Sequence, residues 1–224
     1  MQFELTETQQ TLQNTVRKFL AAECPMTEVR RLMETDTGFD APLWRKIAEQ
    51  GWTGMLIPEQ YGGFGMGMVE MAATLEEMGR ALLPGPFFST VLMAGALIES
   101  AGNEKQKQKY LGAIARGEAR ITVAFLEDPP APSPDAIRMT AHTAAVGYVL
   151  DGKKLFVPDA AVADDDRASV NHAALAQTWH ASAIGADRHA LKERDIVSVM
   201  RFSDDRPHRV DEGKNGRKLR IVHA

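Results

Sequence analysis

The chain has 224 residues, of which 44% are hydrophobic and 25% charged, as is typical of globular proteins with one or two domains. Its net charge of −4 gives no general affinity for nucleic acid, and no apolar run approaches the roughly 18–20 residues of a membrane span. The first residues lack a secretory signal pattern, and the lone Cys24 cannot form an intramolecular disulfide, so we expect a cytoplasmic protein.

The first third of the chain is predicted to be helical. Thr6 and Gln9 have the spacing of a capping box, and an apolar face with helical periodicity follows them. Asp40 is suited to cap a second helix, which carries Pro42 in its first turn and ends at Gly51. The residues predicted to be buried in the helical region are Leu12, Val16, Phe19, Trp44, Ile47, Leu75 and Leu92.

A glycine-rich segment at residues 57–65 interrupts these helices. Three glycines and one proline within nine residues predict a tight loop, because both residue types favour turn geometries. Further helices are predicted over residues 68–83, 87–100 and 105–115, with a Pro-Gly-Pro sequence at 84–86 separating the first two.

The pattern changes after residue 118. Residues that favour strands predict β structure over 120–125, 139–145, 148–150 and 155–157, with a proline-rich loop between the first two. Beyond residue 164 the chain is polar, holds five of the six histidines and shows little apolar periodicity. We therefore predict an α+β protein with an all-α amino-terminal domain, a partial β domain and an irregular tail; these units span residues 1–117, 118–164 and 165–224.

The residues alone reveal no catalytic motif. The histidines have no metal-ligand spacing and no cysteine cluster accompanies them, so no metal site is predicted. A nucleophile elbow, a P-loop lysine and a dinucleotide-binding glycine pattern are also missing from the sequence. Without further information, the chain indicates only a helical domain followed by strands.

Three segments carry a family resemblance. They are the loop at 57–65, the helix predicted over 68–80, and the pattern Gly-x-x-x-Gln-Lys-x-x-Tyr-Leu at 102–111. In this order they resemble the amino-terminal half of the acyl-CoA dehydrogenase family, and the resemblance extends over residues 5–164. It implies FAD as cofactor, acyl-CoA as substrate and electron-transfer flavoprotein as a partner. In the family a carboxylate removes the α proton of the thioester, and flavin N5 accepts the β hydride.

The resemblance also implies site residues. Residues 126–128 stand where the family has Thr-Glu-Pro, and residues 152–159 stand where it has Gly-x-Lys-x-Trp-Ile-Thr-Asn. A proline-rich stretch that contains Ser133 replaces the family's Gly-Ser-Asp. The implied cofactor-binding residues are Phe125, Leu126, Glu127, Ser133, Phe156, Val157 and Pro158. The helix that bounds the acyl tail in the family implies Ser89 and Met93 as substrate-binding residues.

These site residues depart from the family pattern. Leu126 and Pro158 replace two threonines, so two hydroxyl groups are lost from the flavin edge. The residues also allow structural roles: Phe125 and Leu126 as the end of a buried strand, and Met93 as part of the core. The departures indicate a divergent branch or weaker flavin binding.

The sequence beyond residue 164 matches nothing in the family, and the catalytic glutamate cannot be assigned. We therefore predict a truncated acyl-CoA dehydrogenase-like flavoprotein that has little or no activity alone and forms a homo- or hetero-oligomer with family members. One alternative is a non-catalytic subunit that completes a pocket in a hetero-oligomer. Another is an acyl-CoA oxidase or a flavin monooxygenase of the same fold. A change of reading frame near residue 164 is a hypothesis for the origin of the tail.

Overall fold

A computed structural model describes residues 4–127, 138, 140–143, 148–151 and 154–163 of the protein, with only the backbone described in the two strands. The chain is helical up to residue 115. The helices are α1 (Glu7–Glu23), α2 (Met26–Met33), α3 (Ala41–Glu49), α4 (Met68–Arg80), a π-helix (Phe88–Ala94), α5 (Gly95–Ala101) and α6 (Glu104–Ala115). Two short 3₁₀ turns, Trp52–Gly54 and Glu59–Tyr61, lie between α3 and α4.

The predicted helix starts are confirmed by their capping bonds. The Thr6 hydroxyl accepts from the Gln9 amide at 3.3 Å, and the Thr6 amide donates to the Gln9 side chain at 2.9 Å. Asp40 Oδ1 accepts from the Leu43 amide at 2.7 Å. These contacts satisfy amides that have no partner within the first turn of a helix, which is why the local sequence predicts the starts correctly.

Three details of the helices differ from the predictions. Helix α2 was not predicted, because it is short and buries only Val29 and Leu32. Helix α4 ends at Arg80, before residue 83, and Leu82 then adopts a left-handed backbone with φ +51°. The helix predicted over 87–100 is a π-helix followed by α5. Periodicity does not distinguish a π-helical turn from an α-helical one over so few residues.

One hydrophobic core joins all of these helices. Val16, Trp44 and Ile47 are buried as predicted, whereas the other four predicted residues are partly buried and pack against this core, namely Leu12, Phe19, Leu75 and Leu92. Several of the most deeply buried side chains were not among the positions predicted to be buried; examples are Met55, Met71, Leu111 and Ile114. The helical domain predicted from the sequence is therefore present, with a larger core than the selected positions indicated.

A polar seam joins α1 to α4. The side-chain amide of Gln9 donates from Nε2 to Glu70 Oε1 at 2.7 Å. About two turns further along the same face, Arg17 donates from Nε and Nη2 to the Glu77 carboxylate at 2.9 and 2.7 Å. Glu77 is only 1% exposed and also accepts from Arg80 at 3.2 Å. The hydrogen bonds from Arg17, followed by its charge and that of Arg80, lower the pKa of Glu77 against the opposing effect of burial. The seam keeps a buried carboxylate charged.

The glycine-rich loop folds back onto the 3₁₀ turn before it. The Phe64 amide donates to the Gly54 carbonyl at 3.0 Å, and the Gly65 amide donates to the Ile57 carbonyl at 2.9 Å. A Cβ on Gly63 would lie 2.0 Å from the Ile57 carbonyl oxygen and 2.6 Å from that of Gly54. This position admits only glycine, because two backbone segments meet where a side chain would begin.

The predicted strands are found in part. Strands β1 (Thr140–Thr143) and β2 (Tyr148–Asp151) pair antiparallel, with Thr140 opposite Asp151. Strand β1 lies inside the segment predicted at 139–145, and β2 extends one residue beyond the segment predicted at 148–150. The strand predicted over 120–125 is wrong. There the Thr90 hydroxyl accepts from the Ile121 amide at 3.1 Å and donates to its carbonyl at 2.9 Å, so a side chain replaces a neighbouring strand.

The strand predicted over 155–157 is also wrong: among the residues that the structure describes, this segment forms an isolated bridge, between Leu126 and Leu155, rather than a strand. Phe156 then takes a left-handed backbone with φ +50°, which ends any extended run. The partial β domain and its boundaries stay predictions. The tail predicted at 165–224 lies outside the described residues.

Replacing Gly63 by alanine should destabilise the protein strongly. The added methyl group meets two carbonyl groups that belong to backbone, so we expect a loss of about 3 kcal/mol or more in the free energy of unfolding. Gly79→Ala is the matched control. A Cβ at Gly79 meets nothing within 4 Å, and the residue lies inside α4, so a gain of about 0.5–1 kcal/mol is expected. Urea unfolding measures both; equal effects would contradict the close approach at Gly63.

Replacing Glu77 by glutamine should make stability less dependent on pH. The folded pKa of Glu77 is lowered, so its contribution is complete above the unfolded pKa of about 4.3 and is lost as pH falls through the folded value. We expect Glu77→Gln to lower the free energy of unfolding by about 1–3 kcal/mol at pH 7. The difference from wild type should shrink at pH 3.

The control for this experiment is the neighbouring Glu76, whose side chain is 59% exposed although it also contacts α1 and Arg80. Glu76→Gln should change the free energy of unfolding by less than about 0.5 kcal/mol at pH 7. Urea unfolding followed by circular dichroism gives both values. A constant difference between Glu77→Gln and wild type from pH 7 to pH 3 would contradict the charged, buried state of Glu77.

Candidate functional site

The candidate site lies where the helical region meets residues 154–163. Ser89, near the start of the π-helix, is 1% exposed, and its hydroxyl donates to Asp159 Oδ2 at 2.6 Å. The Thr122 hydroxyl donates to the Pro158 carbonyl at 2.5 Å. The bond from Ser89 brings the helix predicted to bind substrate against the segment predicted to bind cofactor, although the two residues are 70 positions apart.

An exposed aromatic residue stands beside these bonds. Phe156 is 78% exposed and has φ +50°, a backbone conformation that bulky residues rarely adopt. Val157 is half-buried and Pro158 is exposed. Pro158 has no amide hydrogen, and its carbonyl already accepts from Thr122. The segment therefore offers an aromatic face without a side-chain hydrogen-bond donor.

The segment at 125–127 lies alongside it. The Leu155 amide donates to the Leu126 carbonyl at 2.8 Å, and Lys154 Nζ donates to the Phe125 carbonyl at 3.3 Å. Phe125 and Leu126 are half-buried, so neither is the end of a fully buried strand. The structure thus brings together six of the seven residues predicted to bind cofactor. The seventh, Ser133, lies outside the described residues.

A buried ion pair connects the two segments. Lys154 Nζ lies 2.7 Å from Glu127 Oε1, and the side chains are 4% and 10% exposed. Glu127 Oε2 accepts from the Arg138 amide at 2.7 Å. Burial, the largest effect, lowers the pKa of Lys154, while Glu127 acts in the opposite direction. Glu127 therefore already contacts a buried cation and a backbone donor, and its predicted contact with a cofactor stays a prediction.

The two residues predicted to bind substrate are less accessible than a cavity wall requires. The Ser89 hydroxyl is already bonded to Asp159, and Met93 is half-buried and packs against the core. Contact between either residue and a substrate stays a prediction. The more open space is a nearby apolar cleft of about 370 Å³. The residues that line it are Leu75, Met78, Gly79, Leu82, Leu83, Gly85, Phe87 and Phe88.

Three residues of the site were missed by the sequence analysis: Thr122, Lys154 and Asp159. A signal existed for two of them. Lys154 and Asp159 stand at the lysine and asparagine positions of the family sequence that was used to select Phe156, Val157 and Pro158. Thr122 gave no signal, because its role depends on a contact with Pro158, 36 positions away. Among the helices that the structure describes, none is both long and apolar enough to cross a membrane.

Comparison with known proteins supports the resemblance drawn from the sequence. Acyl-CoA dehydrogenase IpdE2 of Mycobacterium tuberculosis is 37% identical over 114 residues, which are 50% of this chain and 35% of that protein. The ChsE4-ChsE5 complex from Mycobacterium tuberculosis has a TM-score of 0.64 at 30% identity, over 73% of this chain and 44% of that chain. An acyl-CoA dehydrogenase complexed with FAD from Bacillus anthracis has a TM-score of 0.63 at 29% identity, over 72% of this chain and 28% of that chain.

The chain spans less than half the length of each of these relatives. The family model of the acyl-CoA dehydrogenase N-terminal domain matches residues 6–118, which make up half of the chain and include every helix from α1 to α6. The predicted resemblance is therefore confirmed: the chain belongs to the acyl-CoA dehydrogenase family.

Proposed function

We propose that this protein supplies the helical domain and one flavin wall of an FAD-dependent acyl-CoA dehydrogenase, which oxidises an acyl thioester between Cα and Cβ. The observation that carries the proposal is the bond of 2.6 Å between Ser89 and Asp159. It joins the helix matched to the acyl-binding helix of the family to the segment matched to its flavin wall. Substrate and cofactor must meet at such a junction for hydride transfer to occur.

The described residues fit a flavin as a stacking wall. Phe156 presents an aromatic side chain that is 78% exposed, and Val157 continues the apolar surface. Leu126 and Pro158 supply no hydroxyl, so hydrogen bonds to the flavin edge would come from backbone amides. Bound FAD would supply the hydride acceptor. In this proposal Phe156 orients the ring, while Glu127 and Lys154 hold the backbone beside it.

The proposal assigns the catalytic base to another part of the assembly. A base needs an accessible carboxylate with hydrogen-bonding capacity for the α proton. Glu127 is paired with buried Lys154, and Asp159 accepts from buried Ser89, so both carboxylates already have structural partners. We infer that a partner chain of the same family supplies the base and covers the apolar cleft. The ChsE4-ChsE5 complex, in which two such proteins associate, supports a hetero-oligomer.

The domain organisation and location form part of the proposal. We propose that residues 1–117 form the helical domain, that 118–164 belong to the middle β domain, and that 165–224 lie outside the family fold. A cytoplasmic location fits the chemistry of the chain, because its lone cysteine, Cys24, is buried and cannot form an intramolecular disulfide.

The protein should bind FAD through Phe156. We expect Phe156→Ala to weaken FAD binding about threefold to tenfold, because a stacked aromatic pair is lost. The measurement is a titration of FAD fluorescence with the purified chain, followed by the visible absorbance of the desalted complex. Phe64→Ala is the control, since Phe64 is also an exposed aromatic residue, at 54%, but lies in the glycine-rich loop. Unchanged flavin binding in Phe156→Ala would exclude Phe156 as the wall.

The chain alone should not turn over acyl-CoA. With FAD and an artificial electron acceptor present, we expect a rate far below the roughly 1 per second typical of slow enzymes, because no base is in place. Adding a full-length family member should produce activity above that of the member alone if the chain completes a hetero-oligomer. Oxygen uptake with acyl-CoA would indicate an oxidase instead. Turnover by the isolated chain at 1 per second or faster would overturn the assignment of the base to a partner.

A further inference from the structure

Phe156 combines two properties that folding alone does not favour. Its side chain is 78% exposed, so little apolar surface is buried. Its φ of +50° places a bulky side chain in the left-handed region, where Cβ approaches the backbone. Such a conformation persists only when the surrounding contacts determine it, and it is concentrated at sites that hold ligands.

The contacts before Phe156 are buried and polar. Lys154 Nζ donates to Glu127 Oε1 at 2.7 Å and to the Phe125 carbonyl at 3.3 Å. The Leu155 amide donates to the Leu126 carbonyl at 2.8 Å. Moving the backbone here would separate a lysine that is 4% exposed from its carboxylate, which is costly because it leaves a buried charge unpaired.

The contacts after Phe156 come from the helical region. Thr122 donates to the Pro158 carbonyl at 2.5 Å, and Ser89 donates to Asp159 Oδ2 at 2.6 Å. Asp159 has φ +51°, so the backbone takes a second left-handed turn three residues after the first. Aspartate tolerates this conformation better than most residues. The chain is thus fixed on both sides of Phe156, within two residues in one direction and three in the other.

We propose that these contacts form a clamp that holds Phe156 as a preorganised platform for a planar aromatic ring, and that Lys154 and Asp159 are positioning residues for it. The clamp is defined by the pairs Lys154–Glu127 and Ser89–Asp159. Preorganisation would lower the ordering cost of binding, because the aromatic face is already presented. This inference rests on the proposed flavin function for the identity of the ring, but the strain at Phe156 can be tested without any ligand.

The first experiment compares glycine with alanine at position 156. Both variants remove the ring, but only glycine relieves a left-handed backbone. We expect Phe156→Gly to melt at a higher temperature than Phe156→Ala, by about 2–4 °C for a chain of this size. The control is Val157, whose φ is not positive and which should show the opposite order, with alanine above glycine. Equal melting temperatures at 156, or alanine above glycine, would overturn the platform.

The second experiment asks whether the clamp causes the strain. Asp159→Ala removes the acceptor of Ser89, whereas Asp159→Asn keeps an oxygen acceptor and tolerates the same backbone. In the Asp159→Ala background, the advantage of glycine over alanine at 156 should disappear, because the backbone can relax. In the Asp159→Asn background it should remain. An advantage that is equal in both backgrounds would contradict Asp159 as a positioning residue.

The third measurement connects the clamp to a ligand, with FAD as the probe. Asp159→Ala should weaken FAD binding by no more than the threefold to tenfold expected for Phe156→Ala, because Asp159 acts through that ring, and Asp159→Asn should bind within about twofold of wild type. The other side of the clamp is tested with Lys154→Met in the Glu127→Gln background, which leaves no lone buried charge. Unchanged FAD binding in this double variant would contradict Lys154 as a positioning residue. If wild type fails to bind FAD while the glycine advantage is present, the proposed cofactor fails and the platform stands.

Discussion

Two adjacent buried hydroxyls on one turn of helix hold the functional part of this molecule together. Ser89 and Thr90 are 1% and 0% exposed, and each reaches a remote segment. Ser89 binds Asp159 in the Phe156 segment, while Thr90 exchanges two hydrogen bonds with Ile121. Consecutive side chains on a helix point about 100° apart, so two neighbouring residues of the π-helix can reach two different segments.

The same constraint explains why the site depends on the helical core. The π-helix packs through Val91 and Ala94, both almost fully buried, so the hydroxyls beside them have a fixed position. Helix α1 is fastened to α4 by the Arg17–Glu77 pair, and Gly63 lets the intervening loop close tightly on the 3₁₀ turn before it. Buried polar contacts of this kind stabilise less than their number suggests, but they select one arrangement of the elements.

The sequence predicted the helical domain well because its signals are local. The capping box at Thr6, the cap at Asp40 and the stop at Gly51 each act within one helical turn. It failed at residues 120–125, where β-branched residues favour a strand but the Thr90 hydroxyl takes the place of a strand neighbour. Of the site, the family sequence located Phe156 and its neighbours. It could not reveal that Ser89 would bind Asp159, since that contact depends on how the chain folds across 70 positions.

The strained Phe156 and the absence of hydroxyl groups at Leu126 and Pro158 both bear on how the proposed site would hold a flavin. A flavin edge without side-chain donors must be bound mainly through stacking. Its affinity also rises when the stacking residue is ordered beforehand, because binding then carries a smaller entropy cost. An aromatic residue fixed in advance supplies both, whereas a flexible one would lose part of the stacking energy in ordering itself. The buried pair Lys154–Glu127 and the bond from Ser89 to Asp159 are then explained together, as the contacts that offset the backbone strain. In the proposed platform, the strain at Phe156 lowers stability in exchange for a ring that is ordered before a ligand binds.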